Sequence, residues 1–198
     1  MFFNLKYLKA KYNMNISGII HIGAHTMEEK DIYKSIDVNR VLWIDGMNCG
    51  IKHQDYLNYM IYDVEGWTDF HIMNHEQSSS LLPLDYHSFH YPNVKEVETK
   101  KVQTYRMDSV INNEDILMEY YNMLVLDIQG TEINAIRSFG EYLPKIDYIY
   151  TEINFAFLYK GCMLFDSMES ELEKLGYKLL LYCKSSEQWG DALFERVK

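Results

Sequence analysis

Short apolar runs recur along this chain, and each stops at a glycine or a carboxylic acid. Gly18 to Ile22 ends at Gly23, Arg40 to Ile44 at Asp45, and Tyr59 to Tyr62 at Asp63. Further on, Met123 to Leu126 ends at Asp127, and Ile146 to Tyr150 closes on Glu152. Runs of this length between turn residues read as buried strands. The segments between them carry helical spacing: Met27 to Tyr33, a short stretch between Cys49 and Leu57, and Thr131 to Phe139 with Ile133, Ile136 and Phe139 on one face. Phe165 to Leu175 reads as an amphipathic helix stopped by Gly176. Strands alternating with helices predict an open α/β sheet with helices on both faces. In such a sheet, ligands lie beyond the carboxyl ends of the strands. Gly23, Asp45, Asp63, Asp127 and Glu152 would all stand there. A single acid after a strand is an ordinary turn former, but a succession of them points to a site.

The rest of the chain has a different texture. Phe70 to Met73 begins a hairpin-like region, and Lys101 to Arg106 reads as a strand ahead of Asp108. Residues 74–92, rich in serine, proline and histidine, read as a long excursion, and loops of that length inside compact domains usually serve function. Tyr177 to Tyr182 and Ala192 to Arg196 suggest a terminal antiparallel pair. No repeat or linker divides the 198 residues, so one domain over 1–198 is expected. The formal charge of −10 argues against a nucleic-acid partner. Cys49, Cys162 and Cys183 are widely spaced, which fits a reducing, cytoplasmic setting rather than a disulfide framework. Lysines interrupt the N-terminal run, so no signal peptide is expected, and no segment approaches the ~18 apolar residues of a membrane span.

Several chemistries fail on spacing. Ala24 and Met27 occupy positions where a dinucleotide loop would carry further glycines, and no Gly-Lys-Ser/Thr ending marks a phosphate loop. His21 and His25 straddle a strand end, so they lack the helical geometry of a zinc-protease pair. Ser78-Ser79-Ser80 has no nucleophile elbow. What remains is Gly23, where the backbone admits close approach, and Asp45, one β-α-β unit later, where a carboxylate can accept from both hydroxyls of a ribose. From the residues alone, this is either a nucleoside-containing cofactor site or a plain α/β turn.

The stretch His21 to Glu29 followed by Val41 to Asp45 resembles the opening of the FkbM-type S-adenosylmethionine-dependent methyltransferases. The likeness continues through Ser78 to Leu82, Tyr105 to Asp108 and Leu124 to Glu132, covering residues 18–176. The resemblance implies a class I methyltransferase fold, a Rossmann-like sheet of about seven strands with the last two antiparallel. It implies that Gly23, Ala24 and His25 back the methionine part of S-adenosylmethionine and that Glu29 faces its α-ammonium. Asp45, followed by Gly46, would hold the ribose hydroxyls, Asp63 and Val64 would recognise the adenine, and Asp127 would lie near the sulfonium and its methyl. The chain departs from the family pattern at Met27, where glycine is usual, at Gly46-Met47-Asn48, where alanine and often proline follow, and at Asp45, where glutamate is usual.

Methyl transfer to a hydroxyl needs alignment, exclusion of water and a base. Asp127, Glu152 and the excursion histidines His87 and His90 are the candidate bases. Asp127 with Glu152 could instead hold a divalent metal, although no third ligand is evident, so no metal is expected. The expectation is O-methylation of a small hydroxylated acceptor, a sugar or glycan. N-methylation of a sugar amine or small metabolite is one alternative, and a catalytically silent module that kept the fold is the other.

Overall fold

The computed structural model describes residues 4–197; the first three residues of the N-terminal run and Lys198 lie outside that range. In chain order the elements are α1 (Leu5–Lys11), β1 (Ile19–Ile22), α2 (Lys30–Ser35), β2 (Val41–Asp45), β3 (Tyr56–Asn58), β4 (Met60–Ile61) and β5 (Gly66–Met73). They continue with α3 (His87–His90), β6 (Glu96–Tyr105), α4 (Met107–Asn113), β7 (Met123–Leu126), α5 (Glu132–Ser138), β8 (Tyr148–Asn154), α6 (Phe165–Lys174), β9 (Tyr177–Lys184) and β10 (Trp189–Arg196).

Seven strands form one mixed sheet in the order β3-β2-β1-β7-β8-β10-β9. From β3 to β8 every pairing is parallel, and β10 runs antiparallel to both β8 and β9. The expected terminal antiparallel pair is therefore β9 with β10. Alternation along the strands divides the core between the two faces. Ile20, Ile22, Leu42, Ile44, Leu124 and Leu126 pack with Val110 of α4, Ile136 of α5 and Leu172 of α6. Ile19, Val41, Trp43, Met123 and Val125 pack on the opposite face with Leu8 of α1 and Tyr33 of α2. Because both faces are covered, these strands read in sequence as continuous apolar runs. His21 faces the α2 side, where it is hydrogen-bonded with the Tyr33 hydroxyl at 3.0 Å. Burial lowers its pKa to about 3, so the ring is neutral at physiological pH.

The structure corrects the reading between Cys49 and Asp63. No helix forms after Cys49; Tyr56–Asn58 instead adds to the edge of β2, and Gly50, at φ +70°, is incompatible with a continuing helix. The run Tyr59 to Tyr62 does not belong to the main sheet. Met60–Ile61 pairs with β6, and β4, β6 and β5 form a separate three-stranded sheet. Asp63 consequently does not stand at the carboxyl edge shared by β1, β2 and β7. Helix α2 also starts three residues later than its spacing predicted, because Met27 sits at φ +62°, outside the helical region. The left-handed backbone at residue 27 accounts for the glycine usual in the resembled family. In this chain Met27 meets that strain and packs its side chain against the α2-side core.

Candidate active site

The chain leaves β1 on one side for β2 and β3, then returns to its other side with β7, so the carboxyl ends of β1 and β7 form a topological switch point. There the two backbones nearly touch. Gly23 has φ +86°, and a Cβ added to it would lie 1.9 Å from the Asp127 carbonyl oxygen. The glycine is required by its protein neighbour, which sharpens the earlier reading that it serves ligand approach.

Asp45 binds the two strand-end loops together. Its Oδ2 accepts from the His25 amide at 2.8 Å and its Oδ1 from the Met47 amide at 2.7 Å, while the Tyr56 hydroxyl donates to the His25 carbonyl at 2.9 Å. A carboxylate has about four lone-pair positions, so each oxygen can still accept one more donor. Burial raises the pKa of Asp45, and the two amide donors oppose that rise. Beside it, Gly46 leaves room for Met60: a Cβ at residue 46 would lie 2.5 Å from the Met60 sulfur. Glu29 caps the start of α2 without a side-chain cap bond, and burial raises its pKa as well.

The β7 loop is held from inside. Glu132 is 1% exposed, and its carboxylate accepts from the Gly130 amide at 3.0 and 3.1 Å and from the Ile128 amide at 3.2 Å. Burial pushes its pKa up to about 7. Gln129, at φ +57°, presents its amide to three partners. Its Nε2 donates to Asp127 at 2.8 Å and to Glu152 at 3.2 Å, and its Oε1 accepts from the Tyr159 hydroxyl at 2.7 Å. Asp127 opens onto solvent but is crowded closely enough by protein for its pKa to rise. Glu152, buried within β8 rather than beyond it, has a pKa raised well above normal by burial and by neighbouring Asp127, Glu132 and Asp191.

Residues 74–92 cross over these strand ends. Gln77 reaches Glu28 at 3.3 Å, the Ser80 hydroxyl donates to the Gln129 carbonyl at 2.7 Å, and the Tyr159 hydroxyl lies 3.0 Å from the Ser78 carbonyl. Beneath them is a cavity of about 590 Å³ that runs from Asp45 and Gly46, past Gly23 and Asp127, to Glu152 and Trp189. That size suits a small-molecule site. Among the site residues read from sequence, Gly23, His25, Glu29, Asp45, Gly46, Asp127 and Glu152 line it. Ala24 is buried in the core behind the loop. Asp63 stands off the wall, accepting from the Asn134 side chain at 2.8 Å, and Val64 is 63% exposed in the bend between β4 and β5. His90 is exposed, whereas His87, three residues earlier, is buried and lines the cavity. Gln129, Glu132 and Tyr159 had no assigned role in the sequence reading. The first two sit inside a quoted motif, while Tyr159 carries no local signal because its partner lies 30 residues away.

The family model of the methyltransferase FkbM domain matches residues 9–179. The chain belongs to that methyltransferase family. The resemblance seen in its short motifs is borne out over most of the chain. No curated protein and no solved structure matches it significantly. The methyltransferase domain contains no helix, among the described residues, long and apolar enough to cross a membrane. Nor do the described residues place three or more His, Cys, Asp or Glu side chains together to hold a metal ion.

Proposed function

We propose that this protein is an S-adenosylmethionine-dependent O-methyltransferase acting on a hydroxyl of a small acceptor, a sugar or glycan. The observation that carries this reading is the convergence of Gly23, Asp45 and Asp127 on one cavity at the switch point between β1 and β7. The strand order, with only β10 reversed, supports a Rossmann-like class I arrangement. The residues fit the cofactor: Asp45 keeps two acceptor positions for a ribose diol, and Glu29 offers a carboxylate to an α-ammonium. The loop Gly23-Ala24-His25 forms the backing of the methionine part. For the adenine, Tyr59, Met60, Ile61 and Phe70 offer an apolar wall, in place of Asp63 and Val64.

The bound cofactor supplies an activated methyl group. The chain's own residues align the acceptor and receive its proton. Asp127, raised in pKa and steadied by Gln129, is the base nearest the switch point, with Glu152 behind it and His87 above. The overlying excursion limits water at the reacting atoms. A cytoplasmic setting belongs to the same reading, supported by three free cysteines. N-methylation is the second reading, favoured by the carboxylates that crowd the β8 end of the cavity.

The test is incubation with methyl-labelled S-adenosylmethionine and a panel of sugars, amino sugars and polyols. Labelled acceptor together with demethylated cofactor is the expected result. If binding is measured but no label is transferred to any acceptor, the protein is a silent cofactor-binding module.

A further inference from the structure

The charge of the cavity wall is one-sided. Glu28, Glu29, Asp45, Glu76, Asp127 and Glu152 line it, and no lysine or arginine does so among the described residues. A donor with one net positive charge would offset only part of that excess. Two of these acids, Asp127 after β7 and Glu152 within β8, stand together at one end of the cavity. There Glu152 is 7% exposed, and a single Gln129 Nε2 group serves both it and Asp127. A buried carboxylate such as Glu152 is costly unless a cation or several donors meet it; left unmet it holds its proton, and a bound cation would favour its ionised form.

Polar groups around this end also lack partners. His87 is 6% exposed and lines the cavity, and its Nδ1 has no hydrogen bond among the described residues. Asn154 lies on the same face of β8 as Glu152, two residues on. It is fully buried, and neither its Oδ1 nor its Nδ2 is bonded among the described residues. Native proteins rarely leave such groups unmet: His87, on the cavity wall, is placed to meet a ligand, whereas Asn154 does not line the cavity and calls for an ordered water. Trp189 and Tyr91 add aromatic wall, and the Trp189 Nε1 donates to the Tyr91 hydroxyl at 3.1 Å.

We propose that the acceptor carries a protonated amine and no phosphate or carboxylate, and that the ammonium is held between Glu152 and Asp127 beneath His87. This rests on the methyltransferase reading for the word acceptor, but the binding preference itself does not require methyl transfer. An ammonium supplies three donors to the two carboxylates. An anionic group, such as a sugar phosphate, would meet like charge from Asp127 and Glu152 and, among the described residues, no lysine or arginine on the wall to offset it.

The experiment uses the full chain at pH 7, with and without S-adenosylhomocysteine, titrated with glucosamine, N-acetylglucosamine, glucose and glucosamine 6-phosphate. Glucosamine is expected to bind at least about tenfold more tightly than its acetylated, deaminated or phosphorylated counterparts, a difference of about 1.4 kcal/mol. Glu152→Gln is expected to bring the four ligands within about twofold of one another while S-adenosylhomocysteine affinity stays unchanged. The wild-type comparison needs no variant, so a misfolded variant would not obscure it. Equal affinities, tighter binding of the phosphate, or no binding of any of the four overturns the proposal. Failure to bind S-adenosylhomocysteine bears on the methyltransferase reading alone.

Discussion

Gly23→Ala is expected to lower the unfolding free energy by about 3 kcal/mol, combining left-handed strain on a residue with a Cβ with the loss of one or two backbone hydrogen bonds. The new methyl would lie 1.9 Å from the Asp127 carbonyl oxygen and 2.7 Å from its carbon. Neither strand end can retreat freely. The Gly23 and Ala24 amides both donate to the Ile44 carbonyl, at 2.9 and 3.1 Å, and the Asp127 amide donates to the Ile22 carbonyl at 3.1 Å. For a chain of this length, the cost corresponds to a melting temperature roughly 10 °C lower. Because the same atoms form the cavity floor, cofactor binding should weaken in parallel. Thermal denaturation followed by circular dichroism checks the first part. A shift of under about 2 °C would mean that the two strand ends do not approach as described.

Asp127→Asn is expected to lower turnover by about 10²- to 10⁴-fold, the usual range for loss of a general base. Asparagine keeps the side-chain oxygen that accepts from Gln129 and nearly the same volume, so the loop and fold should persist. Cofactor affinity should change by less than about threefold, because the loss falls on the acceptor, on its proton and on its ammonium contact, and not on the cofactor. Single-turnover measurement with labelled cofactor separates the two effects. A rate equal to that of the parent protein would remove Asp127 from the mechanism and shift the role to Glu152 or His87.

How much of this was visible in the chain depended on burial and on distance in sequence. Strands β1, β2, β7 and β8 are covered on both faces, so Ile19–Ile22 and Met123–Leu126 stand out as unbroken apolar runs. Strand β3 lies at the sheet edge and is only partly buried, and its three residues carry no such signal. The β5–β6 ladder is largely exposed, so charged residues fill it and its extent is hidden. Acids that close a buried strand, such as Asp45 and Asp127, were legible because position in the fold follows from local pattern. Asp63 follows an apolar run too, but that run pairs with β6, a partnership set more than 40 residues away. His87 and His90 looked alike in sequence, and only the folding of the excursion turns His87 and not His90 to the cavity; Trp189 reaches the wall from the start of β10 and Tyr159 reaches the site through Gln129, and nothing in the residues next to those two marks them.

Isothermal titration of the intact protein with S-adenosylmethionine bears on the whole scheme at once, because Asp45 is the acid that joins the β1 and β2 loops and faces the cavity. Binding at a single site is expected, and Asp45→Ala should weaken it about 100-fold, the loss of about 2.7 kcal/mol carried by charge-assisted hydrogen bonds to a diol. Circular dichroism of the variant establishes that it is folded. No detectable binding to the parent protein, or equal affinity in the folded variant, would contradict a cofactor site at the switch point between β1 and β7.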